Sequence, residues 1–411
     1  MPMDQEQQTA TPPALEFDGK RASFLKVLIV NGILTILTLG IYQFWAKAKV
    51  RRFFWSNVRF LDDPLEYTGT GGELFVGFLI VIAILFPLGL IYSAIGSLVP
   101  PDATELRVGL EVVYYLVIFA LLQIGFYRMW RYRMSRTTWR GVRFGLDGST
   151  WTYLKLASGW TLLSAITLGF AYLWMQIDLW RYQIRHTRIG SEIFKFEGNA
   201  KDLMWPWVTV YIPMICIAGA GIGIILSFES YTDNELPTMI AGKEVFVEIM
   251  GTLIGISLLT FFIAFFMYQI RQTRYQISGV KLGIASFKSM LPIRRLFIFA
   301  ALSFLLMGAV ILLPFIMYLG PNFDLGVFPY FETPEPATFS EAIAPIAFMF
   351  VSVVFIFPLI WSVMFKFEVI KQLVITTSIE NADVLEQAAQ SASETPRTGE
   401  GLADALDIGE F

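Results

Sequence analysis

The chain has 411 residues, of which 55% are hydrophobic, 16% aromatic and only 16% charged, and its formal net charge is -3. A soluble globular domain carries about 45 to 50% apolar and about 25% charged residues, so this composition excludes an ordinary soluble domain and indicates a polytopic membrane protein. With one cysteine, Cys216, and one histidine, His186, the chain has no internal disulfide and little basis for zinc, haem or thiol chemistry, and neither a metal nor a cofactor is expected.

Residues 1–16 are polar, contain Pro12 and Pro13, and lack the basic stretch and apolar core of a removable signal peptide, which reads as a disordered arm. A bilayer core of about 30 Å needs roughly 20 apolar residues as helix. The first stretch of that length, 24–45, carries Asn31, Gly32, Thr35, Thr38 and Gly40 through its middle. Residues 74–99 and 108–129 are clear spans. Residues 153–174 are again polar in the middle, with Ser158, Thr161, Ser164, Thr167 and Gly169. Residues 207–228, 245–268, 296–319 and 342–365 complete six clear spans. Gly219, Gly221 and Gly223 lack the strand before and helix after of a nucleotide loop, and read as a close-packed face of small residues. The final 32 residues, from Glu380, hold eight carboxylates against Arg397 and read as an acidic disordered tail.

Short cytoplasmic loops carry an excess of Lys and Arg. Five basic residues lie in 47–73, six in 128–147, five in 178–202 and six in 271–295, whereas the loops 97–111, 229–248 and 320–341 are acidic. If 24–45 and 153–174 both cross, two basic clusters face outward. If both enter and return, every basic cluster lies inside and every acidic loop outside, and the C-terminus is cytoplasmic. The second arrangement is preferred. A re-entrant backbone must satisfy its polar groups within protein or water; Asn, Ser and Thr side chains help to supply this, and Gly40 and Gly169 suit the turn.

Residues 31–52 and 160–181 share a spacing: Leu-Thr-Leu-Gly against Ile-Thr-Leu-Gly, then Trp45 against Trp174, then Arg52 against Arg181. Residues 57–60, 141–144, 187–190 and 280–283 open short alternating stretches that read as brief strands or strand-like cytoplasmic loops. The expected fold is an all-α polytopic membrane protein with six transmembrane helices, two re-entrant or spanning Thr-Leu-Gly segments and an internal duplication. Its parts are an arm (1–16), two repeats (17–150 and 151–295), a C-terminal helical pair (296–378) and the acidic tail (379–411).

Phe17-Asp18-Gly19, Asn31 with Leu34-Thr35, Thr38 to Tyr42 with Trp45-Ala46, Arg51-Arg52-Phe53, Trp139 to Phe144 and the Leu168-Gly169 copy resemble the YjgN family, a bacterial inner-membrane family with a domain of unknown function. The resemblance runs from residue 17 to near residue 300. It implies a bacterial inner (cytoplasmic) membrane location and supplies no activity. Members carry a further Thr-Leu-Gly and Pro-Trp motif near the C-terminus. Residues 296–365 depart from it, with only Phe357 to Trp361 faintly similar.

None of the six clear spans has an ionisable residue near its centre, and no nucleophile with a base is visible, so no enzymatic activity is expected. Asp178 beside Arg181 reads as an interfacial ion pair. Arg51, Arg52, Arg128, Arg131, Arg133 and Arg136 interleave with aromatic residues at the membrane edge. That pattern anchors in the interface, and it is the candidate for anionic lipid. Basic residues spread over four loops at the bilayer do not suit nucleic acid. The other candidate is a pathway for a small solute. Asn31, Thr35, Thr38 and Gly40, with Thr161, Ser164, Thr167 and Gly169, would line it if the segments re-enter, because broken helices at repeat interfaces are where transporters bind substrate. If the segments span, the same residues are helix-packing contacts. The leading reading is therefore a transporter or channel for an unidentified small solute, and the alternative is a membrane-organising scaffold that binds anionic lipid through its basic and aromatic cytoplasmic loops.

Overall fold

A computed structural model describes residues 15–190, 192–229, 237–319 and 347–381. The expected arm up to residue 14, the acidic loop 320–341, the middle of the acidic loop 229–248 and the tail from residue 382 lie outside the described residues. In chain order the elements begin with β1 (Leu15–Phe17), α1 (Arg21–Leu37), α2 (Gln43–Asn57), β2 (Val58–Phe60), β3 (Asp63–Tyr67), α3 (Gly71–Leu98) and α4 (Thr104–Ser135). Next come β4 (Thr137–Trp139), β5 (Val142–Leu146), α5 (Thr150–Ile166), α6 (Tyr172–Arg185), β6 (Thr187–Ile189), β7 (Glu192–Phe196), α7 (Met204–Glu229) and α8 (Pro237–Ser278). The chain continues through β8 (Val280–Leu282), β9 (Ala285–Ser289), α9 (Ile293–Leu319), α10 (Ala347–Ile375) and β10 (Thr377–Glu380).

Six of these helices, α3, α4, α7, α8, α9 and α10, are long and apolar enough to cross a membrane, which makes the chain a polytopic membrane protein. They stand where the apolar runs predict, but α4, α8 and α10 continue to Ser135, Ser278 and Ile375. Their cationic ends are therefore helical. The expectation of an all-α chain needs correction, because ten short strands alternate with the helices among the described residues. At Leu61-Asp62 and Arg140-Gly141 both turn residues have positive φ. This is the two-residue hairpin turn whose twist matches that of paired strands. The small-residue face is also corrected in part. A Cβ on Gly219 or Gly221 would meet nothing within 4 Å, and only Gly223 approaches a neighbour, at 3.5 Å from Phe246.

The described residues divide into two compact units, one drawn from residues up to 72 and from 292–376, the other from 73–291 and from 377 on. In the first, β1, β2 and β3 pair antiparallel, with Leu15 opposite Phe60 and Arg59 opposite Pro64. Leu15 and Glu16 thus belong to a strand, two residues that the sequence places in the arm. Phe24, Phe54 and Phe367 form the buried core of this unit. In the second unit β4 to β10 pair in chain order, all antiparallel. Its main core gathers Leu173, Ile177, Phe196, Trp207, Val210 and Tyr268.

Strand pairing fixes where each helical excursion begins and ends. The segment α1 to α2 leaves from β1 and returns into β2, which pairs with β1. The segment α5 to α6 leaves from β5 and returns into β6, with Phe144 opposite Ile189. The pair α7 and α8 lies between the paired strands β7 and β8, and α9 and α10 lie between β9 and β10. For α3 and α4 the closure is polar: Tyr132 Oη donates to Glu73 Oε2 at 2.7 Å, and Arg136 forms an ion pair with the same carboxylate.

Candidate functional site

Neither Thr-Leu-Gly segment is a continuous helix. After Leu37 the chain takes φ of +50° at Leu39 and +92° at Gly40, and after Ile166 it takes +51° at Leu168 and +90° at Gly169. The Gly40 amide donates to the Thr35 carbonyl at 2.8 Å and the Leu39 amide to that of Ile36 at 3.1 Å. In the second copy Gly169 donates to Ser164 and Leu168 to Ala165, at 2.6 and 3.2 Å. These are paired six-to-one and five-to-two bonds, a Schellman ending, with leucine rather than glycine in the left-handed position. Each 17-residue first helix, α1 or α5, reaches only about 25 Å, short of the hydrocarbon core.

The threonines of the motif hold this turn. Thr38 Oγ1 donates to the Leu34 carbonyl at 2.8 Å and accepts the Tyr42 amide at 2.9 Å. Thr167 Oγ1 does the same between Leu163 and Ala171, at 2.8 and 3.1 Å. Two carbonyls of the second turn receive donors from α7: Tyr211 donates to Thr167 O at 3.2 Å, beside the Phe170 amide at 3.0 Å, and Trp207 Nε1 to Phe170 O at 3.1 Å. Thr35 Oγ1 donates to Asn31 O at 2.7 Å, and Thr161 Oγ1 lies 3.7 Å from Met175 Sδ across its hairpin. Asn31 is buried and its Nδ2 reaches Ala46 O at 3.5 Å, while its Oδ1 and the Ser164 Oγ are buried without a partner among the described residues. Of the eight pathway candidates, Asn31, Thr35, Thr38 and Gly40 belong to the first unit, and Thr161, Ser164, Thr167 and Gly169 to the second.

The arginines have a repeated structural task. Arg52 Nη2 donates to Gly69 O at 3.2 Å, Arg181 Nη2 to Gly198 O at 2.8 Å, and Arg131 to Gly148 O. Each arginine lies 17 residues before its glycine, with a strand hairpin between. Arg274 Nε makes the related bond to Ser289 O at 3.1 Å. The glycines are required by close approach. A Cβ on Gly69 would strike the Tyr67 ring, and one on Gly198 would lie 2.5 Å from Phe196 Cζ and 3.0 Å from Tyr275 Cε1. At Gly69 and Gly198 an aromatic ring two residues back thus folds over the glycine while an arginine caps its carbonyl, and at Gly148 the crowding comes from Tyr127 and His186. Gly198→Ala is expected to cost about 1 to 3 kcal/mol, because Phe196 is buried and cannot yield freely. Gly219→Ala should be neutral or stabilising, and thermal unfolding of the two variants side by side checks this.

Five of the six anionic-lipid candidates are engaged inside the protein. Arg51 is buried and donates to Tyr67 Oη at 3.2 Å; Arg52 and Arg131 cap glycine carbonyls; Arg133 reaches Met129 Sδ at 3.3 Å; Arg136 pairs with Glu73. Arg128 is exposed and has no partner among the described residues. The expected pair of Asp178 with Arg181 forms. Burial pushes the Tyr153 phenol at the base of α5 up to about 12, where it packs with Tyr127 and Tyr182.

Glu368 is the polar centre that sequence reasoning missed. It is 1% exposed, yet it accepts Arg21 Nη2, Arg295 Nε and Gln372 Nε2, each at 2.8 Å. Helices α1, α9 and α10 are tied together at this one carboxylate. The Arg21 guanidinium also lies over the rings of Phe299 and Phe367, at 5.0 and 5.5 Å.

A family model described as a bacterial protein of unknown function (DUF898) matches residues 12–405. The chain belongs to this family. The DUF898 match includes α9 and α10, so the departure seen over 296–365 falls within the family's own extent. The chain is 31% identical over 143 residues to the inner membrane protein YjgN of Salmonella typhimurium, covering 34% of this chain and 33% of that protein. It is 28% identical over 156 residues to the inner membrane protein YjgN of Escherichia coli K12, covering 38% and 36%. The chain thus spans about a third of the length of the curated relatives it matches. No solved structure matches it.

Proposed function

We propose that this DUF898 protein is an integral inner-membrane protein whose two Thr-Leu-Gly hairpins enter the cytoplasmic leaflet and return, and that it acts as a membrane-organising scaffold holding anionic lipid of that leaflet. The observation that carries this reading is the pairing of β1 with β2 and of β5 with β6. A segment that crossed the bilayer would finish about 30 Å from where it began, and strands on either side of it would have no means to pair. The hairpin tips are apolar and open, with Leu39 95% and Leu168 77% exposed. The positive-inside rule supports a cytoplasmic side for the strands and the basic clusters, and with them for the C-terminus. The inner-membrane assignment takes its support from the relatives' names. Matching φ values and matching hydrogen bonds in the two hairpins support an internal duplication.

Single cysteines at Ser56, Glu192 and Asp102, in a Cys216→Ser background, test the placement with an impermeant thiol reagent on intact cells. Only the Asp102 position should label; labelling at Glu192 from outside makes α5 and α6 a crossing segment. Vesicles of phosphatidylglycerol and phosphatidylcholine in equal amounts test the lipid function: protein extracted from them should retain the former preferentially, and equal retention removes that role.

A solute pathway is the second reading. It draws support from the unpaired, buried Asn31 Oδ1 and Ser164 Oγ. Asn31→Leu should then slow solute flux in reconstituted vesicles, and unchanged flux takes Asn31 out of any pathway.

A further inference from the structure

Between α7 and α8 lies an open cavity of about 260 Å³, whose lining includes Thr209, Thr260, Ile263, Met267, Tyr268 and Arg271. Its walls offer little accessible polarity: the Tyr268 hydroxyl has no hydrogen-bond partner among the described residues but is itself buried. Thr209 Oγ1 is bonded to Pro206 O at 2.7 Å and Thr260 Oγ1 to Ile256 O at 2.9 Å, so both hydroxyls are satisfied within their own helices. Arg271 is different. It lines the cavity and has no hydrogen-bond or ion-pair partner among the described residues.

The cation stands at one end. Arg271 is nine residues before β8, on the strand side of α8, while Thr260 lies 11 residues deeper, about 16 Å along the helix. The groove therefore runs from a lone guanidinium at interface depth into an apolar trough, and both of its walls are helices that read as membrane spans. That gradient of polarity matches a phospholipid, with phosphate at one end and an acyl chain along the other. A cation close to an anionic leaflet contributes about 1 kcal/mol even without a pocket.

We propose that this groove seats one anionic phospholipid of the cytoplasmic leaflet, its phosphate on Arg271 and an acyl chain against Ile263 and Met267. This site rests on the lipid-holding reading above and gives it a location. It also accounts for that reading when five of the six arginines first marked for lipid are committed to contacts within the protein.

The test uses the full chain in vesicles containing phosphatidylglycerol with a photoactivatable group on one acyl chain, and maps adducts by mass spectrometry. Adducts are expected on the peptide spanning 260–268, competed by unlabelled phosphatidylglycerol and not by phosphatidylcholine. Arg271→Gln should lower their yield about fivefold. Ala264→Trp, which fills the trough and keeps the charge, should abolish them. Lys195→Gln, an equal loss of charge at an exposed strand position, should leave the yield unchanged. Equal competition by phosphatidylcholine, competition by glycerol phosphate alone, or an equal fall in Lys195→Gln each overturns the site. Variants are compared only where the Glu192 cysteine stays protected in intact cells. Loss of adducts with that protection intact counts against the groove, whereas outward labelling at Glu192 counts against the membrane placement itself.

Discussion

Glu368→Ala is expected to destabilise the protein by about 3 kcal/mol, read as a lower temperature at which detergent-solubilised protein loses its monodisperse elution peak. The carboxylate is almost fully enclosed and has three donors at 2.8 Å, from α1, α9 and α10. Removing it strips two guanidinium groups of their partner at once. The estimate sits at the low end of the range for a broken buried pair because the arginines themselves are only partly covered, 37% exposed for Arg21 and 52% for Arg295. Water can take over some of their hydration. The reverse change is harsher per charge, because Arg21→Ala leaves the enclosed carboxylate with a single cation. The two variants should therefore be strongly non-additive, with a coupling of at least about 1 kcal/mol in a double-mutant cycle. Glu368→Gln, which keeps the size and loses the charge, should fall between wild type and alanine. An alanine variant within about 0.5 kcal/mol of wild type would show that Glu368 does not hold these helices together.

The reason this centre was not legible in the sequence is one of distance. Glu368 stands three residues past the apolar run 342–365, where an acid at a helix end ordinarily reads as solvated. Its partner Arg21 is 347 residues away. One local signal was available: Glu368 is the single acid in the otherwise cationic end of α10, between Lys366 and Lys371. The spans were legible because apolar length is a property of each segment alone. The hairpin breaks were legible too, since Thr-Leu-Gly twice interrupts an apolar run at the same spacing. The strands were visible only as brief alternating stretches. A three-residue strand such as Val58–Phe60 or Thr187–Ile189 gains its standing from partners, and β1 finds β2 only after two intervening helices.

The arginine clusters were seen, but the contacts that five of the six arginines make within the protein were not. Density of charge at a membrane edge reads as lipid contact, and nothing in a local window tells a guanidinium that faces a head group from one that caps a carbonyl. The spacing does. Arg52, Arg131 and Arg181 each precede a glycine by 17 residues, and the tetrapeptide Arg-Tyr-Gln-Ile recurs at Arg181 and Arg274, just before a strand hairpin in both cases. A repeat that pairs a cation with a glycine at fixed separation is better explained by a backbone clamp than by a lipid site. It leaves cations without partners among the described residues, Arg128 and Arg271 among them, available to a ligand.

Leu168→Asp is expected to cost about 3 kcal/mol of hairpin insertion, and Leu39→Asp a similar amount, if the two tips lie in hydrocarbon. The local backbone argues for that setting. Both leucines hold a left-handed conformation, with φ of +51° and +50°, in which an L residue other than glycine or asparagine is strained by about 1 kcal/mol. Leu39 is also 95% exposed and Leu168 77%, so contacts within the protein do little to offset the strain. At a tip in water, leucine would be a poor choice on both counts. At a tip in lipid its apolar surface is what the surroundings favour. Leu168→Asn separates the cases by sign, because asparagine tolerates this conformation and is polar. In water it should stabilise the hairpin, by about 1 kcal/mol at most. In hydrocarbon it should destabilise, and Leu168→Gly, which relieves the strain without adding a polar group, should do so less. Thermal unfolding of the three variants in vesicles gives the order. A gain in stability for Leu168→Asn would put the tip in water, leaving strand pairing alone to hold the hairpin and removing its apolar tip as a means of gripping the leaflet.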